Sequence, residues 1–172
     1  MSIAVRTARP SDLRRIAPVE DAGGAMYAEH FGDRTVPALT APAPSGAERD
    51  GVGFLLVAVD DRRLVGFAHV VPHDLHAHLE QLSVLPAYQR RGIGTTLVRA
   101  AMEEARWGGY DVMSLTTYRD VPWNGPFYAR LGFAEVEASR LERFQRDLRD
   151  LERAAGLDEP GPRIVMQRRL ER

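Results

Sequence analysis

The chain contains no cysteine. That excludes a disulfide framework, agrees with a cytoplasmic setting, and leaves no thiol on which a group in transit could rest. No apolar run approaches the length of a spanning helix, and Met1-Ser2-Ile3 does not open a signal peptide, so no membrane partner is expected. A charge bias is absent too: 23 Lys and Arg stand against 24 Asp and Glu, a formal net charge of −1. Such a balance offers no field for nucleic acid or an anionic membrane. No internal repeat is evident, and the one compositionally biased stretch is 33–50. What is present is 172 residues, enough for a sizeable core, read as a single domain over 1–172.

Residues 78–107 organise the rest. Leu79, Gln81 and Ser83 alternate with Glu80, Leu82 and Val84, the period of a strand, and Pro86 stops it. The run Gln89-Arg90-Arg91-Gly92-Ile93-Gly94-Thr95 then opens a helix whose apolar positions Ile93, Leu97, Val98, Ala101, Met102 and Ala105 share one face. Gly92 and Gly94 carry no Cβ, so a ligand can approach the backbone. The amides of Arg91 to Thr95 lie where a helix leaves its first N–H groups unpaired and its dipole positive. This turn suits an anion, most naturally a diphosphate.

The wider pattern is more specific than two glycines. Gln-x-x-Gly-x-Gly follows a strand ending Leu-x-Val-x-Pro, with Asn124 and Phe127-Tyr128-Ala129-Arg130-Leu131-Gly132-Phe133 downstream. In these motifs the chain resembles the GNAT superfamily of acetyl-CoA-dependent N-acetyltransferases over roughly residues 3–137. The resemblance implies a mixed α/β domain: a central, mostly antiparallel sheet of about seven strands with a splayed middle, flanked by helices. It implies acetyl-CoA as co-substrate, a small-molecule amine as acceptor, and no metal. A non-catalytic acyl-CoA-binding or sensory module on the same fold is the alternative. A dinucleotide-binding module fits less well, lacking the parallel βαβ order and an acid about 20 residues past the glycines.

Along the chain, 3–8 reads as a strand and 9–12 as a helix start capped by Ser11, with Pro18 and Gly23-Gly24 interrupting later turns. A second short helix is expected over 25–31 and a loop over 33–50. Residues 54–59 and 64–71 form a hairpin, linked through 72–77 to the central strand. Strands follow at 111–117, 133–137 and 163–170, with a short helix near 126–131. Ser139-x-x-Glu142 is a capping-box pattern that opens an inserted helix near 139–155. The stripe Leu141, Phe144, Leu148, Leu151 and Ala155 is expected to pack on the parent domain; a homodimer seam is its other use.

The resemblance assigns roles. Leu82, Ser83 and Val84 pair through their backbone with the pantetheine arm, the N–H near Leu82 polarising the thioester carbonyl. Gln89, Arg90, Arg91, Gly92, Ile93, Gly94 and Thr95 hold the diphosphate, and Asn124 contacts the pantetheine. Tyr128 protonates the leaving thiolate. Glu80 and His78, two residues apart on one strand, supply the general base and its water relay, in either assignment. Tyr27, Phe31, His73, His76 and Trp123 are expected to line the acceptor site. His73, His76 and His78 give no facial metal-binding set, and no second ligand cluster exists.

Overall fold

The computed structural model describes residues 3–171. Seven strands form one sheet: β1 (Ile3–Thr7), β2 (Phe54–Asp60), β3 (Arg63–His73), β4 (His76–Val84), β5 (Val112–Tyr118), β6 (Ala134–Glu135) and β7 (Arg163–Arg169), in the order β1-β2-β3-β4-β5-β7-β6. Every pairing is antiparallel except β4 with β5. The mixed fold with a mostly antiparallel seven-stranded sheet is therefore the observed one. Among the described residues no helix is long and apolar enough to cross a membrane.

Among the described residues there are six α-helices: α1 (Ile16–Phe31), α2 (Pro37–Thr40), α3 (Gly46–Asp50), α4 (Ile93–Trp107), α5 (Gly125–Arg130) and α6 (Arg143–Ala154). On one face α4 buries Ile93, Leu97, Val98, Ala101 and Ala105 against Ala68, Val70, Ala77 and Leu79. On the other, α1 sets Ile16 and Val19 against Leu55, Val57 and Phe67.

Three local expectations are corrected. The first helix is not capped by Ser11; a 3-10 turn over Pro10–Arg15 begins at Arg9, whose N–H donates to Asp12 Oδ2 at 2.8 Å. Nor does α1 break at Pro18, because that residue is in the first turn, where a missing N–H costs no intrahelical bond. The chain then runs unbroken through Gly23-Gly24 to Phe31. Residues 33–50 are not one loop: Pro37 opens α2, and a capping box at Ser45 and Glu48 opens α3, with Glu48 Oε2 accepting from Ser45 N at 2.7 Å.

The inserted helix begins at Arg143 rather than near Ser139, and its capping box is Glu142–Gln145. Only part of its apolar stripe packs on the domain, chiefly Phe144 against the His73 ring at 4.4 Å. Leu151 is 68% exposed, whereas Gln145 and Arg149 are buried. Beside Phe144 the inward face is ionic: Arg149 pairs with Glu152 and with Asp158 (2.7 Å), and Arg163 of β7 pairs with Glu152 (2.6 Å). Thr116 of β5 also donates to Glu152. Burial would raise the Glu152 carboxyl, but these donors hold it below the usual range.

Candidate active site

The site begins where β4 and β5 part. They pair only through His76–Val112, Ala77–Met113 and His78–Ser114. Beyond that point residues 79–84 bond to β3 alone, and β5 turns wholly to β7. A V opens between two strands, with backbone groups of the β4 inner edge left for another partner. At its far end Asn124 is buried, and its Oδ1 accepts from Tyr118 N at 3.4 Å.

The first turn of α4 closes one wall. Gly92 is its N-cap in the left-handed conformation (φ 79°), and Thr96 N returns to Gly92 O at 3.0 Å. Arg90 also has positive φ (60°), so the loop coils tightly ahead of the helix. Arg90, Arg91 and Gly92 are exposed; Ile93 is buried in the core, which leaves only its backbone for a ligand. A Cβ on Gly94 would sit 3.4 Å from Phe127 Cζ and 3.9 Å from Leu82 Cδ2. Thus β4, the start of α4 and α5 converge on one groove. Gln89 is turned inward, donating to Val84 O at 3.3 Å and lying against Met26 of α1. Arg91 stacks over the Tyr88 ring at 5.1 Å.

Tyr128, on α5, is 9% exposed, its ring against Phe127 and Phe133. Burial raises its hydroxyl well above the usual range, so it stays protonated. Its contacts among the described residues are those of the ring, and no hydrogen bond of the hydroxyl is among them. It is a donor without an acceptor.

Glu80 and His78 sit at the closed end of the V, where the two strands part. His69 pairs with Gln81 and Val70 with Leu79, so Glu80 is the extra residue of a β-bulge. Its carboxylate is 42% exposed, whereas His78 is 2% exposed. His78 Nδ1 meets Ser114 Oγ at 3.0 Å, and Nε2 is 3.9 Å from Glu80 Oε2, beyond hydrogen-bond reach. Burial, with His73 nearby, lowers the His78 pKa to about 4. The imidazole is therefore neutral at pH 7, and its contact with Glu80 is not an ion pair.

This depression couples to stability. The unfolded imidazole binds its proton near pH 6.5 and the folded one only near 4, so stability falls as pH drops through that window. The difference amounts to on the order of 3 kcal/mol. Burial lowers His76 and His69 as well, adding to the same slope. Urea melts should show His78→Gln losing distinctly less stability than wild type between pH 7 and pH 5; equal losses would refute this coupling.

The expected acceptor residues fall into two groups. Tyr27, Phe31 and Trp123 meet at the open end: Tyr27 and Trp123 rings are 5.7 Å apart, and Asn124 Nδ2 donates to the Tyr27 hydroxyl at 2.9 Å. Phe31 is buried against Tyr118 in this cluster. His73 and His76 lie at the paired end, where the inserted helix covers them: His73 stacks on Phe144 at 4.4 Å and His76 meets the same ring at 5.3 Å. Among the described residues no group of three or more His, Asp or Glu could hold a metal ion.

Sequence reasoning missed a charged cluster beside Glu80. Arg49 of α3 is buried, donates to Glu20 Oε2 at 2.6 Å and meets His69 Nδ1 at 3.2 Å. Burial raises the Glu20 carboxyl, Arg49 opposing it. Helical spacing from Ile16 could have placed Glu20 inward; for Arg49, in a stretch read as a loop, the signal was the Ser45-x-x-Glu48 capping box just before it.

The sequence profile of the Acetyltransferase (GNAT) family matches residues 22–133. A mycothiol acetyltransferase from Acidothermus cellulolyticus is 35% identical over 105 residues, covering 60% of this chain and 30% of that protein. Its counterpart from Rhodococcus jostii is 36% identical over 111 residues, 64% of this chain and 34% of that protein. The match thus spans about a third of those relatives' length. In structure, a PaiA N-acetyltransferase from Thermoplasma acidophilum in complex with coenzyme A superposes with a TM-score of 0.68 at 19% identity, over 98% of this chain and 99% of that one. The ribosomal-protein-S18-alanine N-acetyltransferase from Escherichia coli gives 0.65 at 17%, over 99% and 96%. These two are similar in fold. By the family profile, which covers well over half of its residues, the chain belongs to the GNAT family of acetyltransferases.

Proposed function

We propose that residues 1–172 act as one N-acetyltransferase domain, passing the acetyl group of acetyl-CoA to a primary amine by direct attack with both substrates bound. The observation that carries this reading is the V between β4 and β5. It presents a partnerless strand edge, a helix N-terminus and the unpaired Tyr128 hydroxyl to one groove.

In this reading the pantetheine arm pairs with the edge at Leu82, Ser83 and Val84. The diphosphate meets the amides and guanidinium groups of the 89–95 loop. The N–H near Leu82 polarises the thioester carbonyl. Glu80, half-exposed where an ammonium would arrive, takes the proton; neutral His78 holds the relay from the Ser114 side. The amine nitrogen attacks the carbonyl carbon, the carbon–sulfur bond breaks, Tyr128 gives the sulfur its proton, and the second proton shed by the nitrogen as it becomes an amide restores the phenol. Asn124, already bound to Tyr27 and Tyr118, fixes the cofactor wall against the acceptor wall. Tyr27 and Trp123 make the acceptor side partly aromatic, which favours a small apolar or aromatic amine over a polycation.

Direct transfer has a kinetic signature. Thiol release from acetyl-CoA should appear with members of a panel of 2-phenylethylamine, tryptamine, spermidine, kanamycin and a short peptide. Initial-rate plots at varied acetyl-CoA should intersect. Parallel plots, or labelled acetyl recovered on the protein without acceptor, would exclude direct attack. No thiol release with any amine would favour the non-catalytic alternative.

A further inference from the structure

The inward stripe of α1 is interrupted where the sheet opens. Gly23 lies two turns beyond Ile16, which is fully buried, and one turn beyond Val19, which is nearly so; Tyr27 follows one turn later. A side chain at this place would ordinarily fill the space between helix and sheet. Yet a Cβ built on Gly23 meets nothing within 4 Å, whereas one on the next residue, Gly24, would press on Leu39 O at 3.3 Å. Glycine in mid-helix is unfavourable relative to alanine, and packing gives no reason for it at Gly23.

The surroundings of that gap are chemically biased. One turn before it Glu20 carries the carboxylate held by Arg49, which also meets His69, and Glu80 flanks the His69–Gln81 rung of β3 and β4. One turn after it the Tyr27 hydroxyl meets Asn124. Arg49 is the fixed cation beside two carboxylates, so the local balance favours a positive guest.

We propose that Gly23 is a specificity-determining residue: the space over it receives the body of the acceptor amine, whose ammonium faces Glu20 and Glu80. This rests on the transferase reading above and names the part of the molecule that sets acceptor size. It converts an energetic oddity of α1 into a steric gauge.

The test uses the fastest amine of that panel with Gly23→Ala and Gly23→Leu. Alanine is the better helix former, so Gly23→Ala should melt about 2–4 °C higher than wild type. Its KM for the amine should rise two- to fivefold or so, and that of Gly23→Leu by roughly tenfold or more, as the added carbons fill the guest's space. Acetyl-CoA affinity by calorimetry should not move in either. A folded, active Gly23→Ala and Gly23→Leu pair with wild-type KM would overturn this inference while leaving the transferase reading intact. Absence of turnover by the wild type with every amine would overturn both.

Discussion

Tyr128→Phe should lower kcat by roughly 10²–10⁴, the range for losing a general acid, while acetyl-CoA affinity stays near wild type. The same variant should melt no lower than wild type. The Tyr128 hydroxyl has no hydrogen-bond partner among the described residues, so removing it breaks no internal bond. A structural tyrosine would behave in the opposite way, losing stability and keeping rate. Burial holds the phenol protonated, which makes it a reluctant acid in isolation. A thiolate released into the same dry groove is made more basic by that dryness, so the transfer stays balanced. Wild-type kcat in the variant would remove the assignment, provided single-turnover rates agree and product release is thereby excluded as the slow step.

Gly94→Glu should abolish measurable acetyl-CoA binding, a fall in affinity of about a hundredfold or more, in a protein that remains folded. Gly94 has helical geometry, and a Cβ there reaches ordinary contact with Phe127, so the position accepts a side chain. A carboxylate in the first turn of α4 also favours the helix dipole. Stability should therefore hold or rise while an anionic ligand is repelled from the same amides. Gly94→Ala supplies the control, keeping most affinity. Gly92 would be a poorer choice, because its positive φ strains any replacement. Calorimetry showing unchanged affinity in folded Gly94→Glu would place the diphosphate elsewhere.

Much of this architecture was legible because its periodicities are strong. Ile93, Leu97, Val98, Ala101 and Ala105 marked α4, and all five are buried. The alternation of β4 and the glycine turn after it marked that strand and the start of α4. Other features were hidden for definite reasons. Proline and alanine in 33–50 masked a capping box at Ser45–Glu48 that the sequence does contain, and with it the helix that delivers Arg49. The inserted helix looked amphipathic in the ordinary sense, but beside Phe144 a network of two arginines and two acids docks it, and hydropathy cannot tell a buried ion pair from a solvated face. Glu80's place in a bulge depends on the register of β3 against β4, which no local pattern encodes.

The three-residue seam between β4 and β5 has a mechanical consequence. It makes the sheet two leaves, β1 to β4 and β5 with β7 and β6, joined at one corner. His78 and Ser114 form the last rung, and their side chains bond across it, so this pair is the fulcrum. Phe144 lies against His73, His76 and His78 just behind it, while Arg163 ties α6 to the second leaf. The inserted helix is in effect a clasp over the spine of an open book. The angle between the leaves, and hence the width of the slot, is set at the spine rather than by the residues that line the pages.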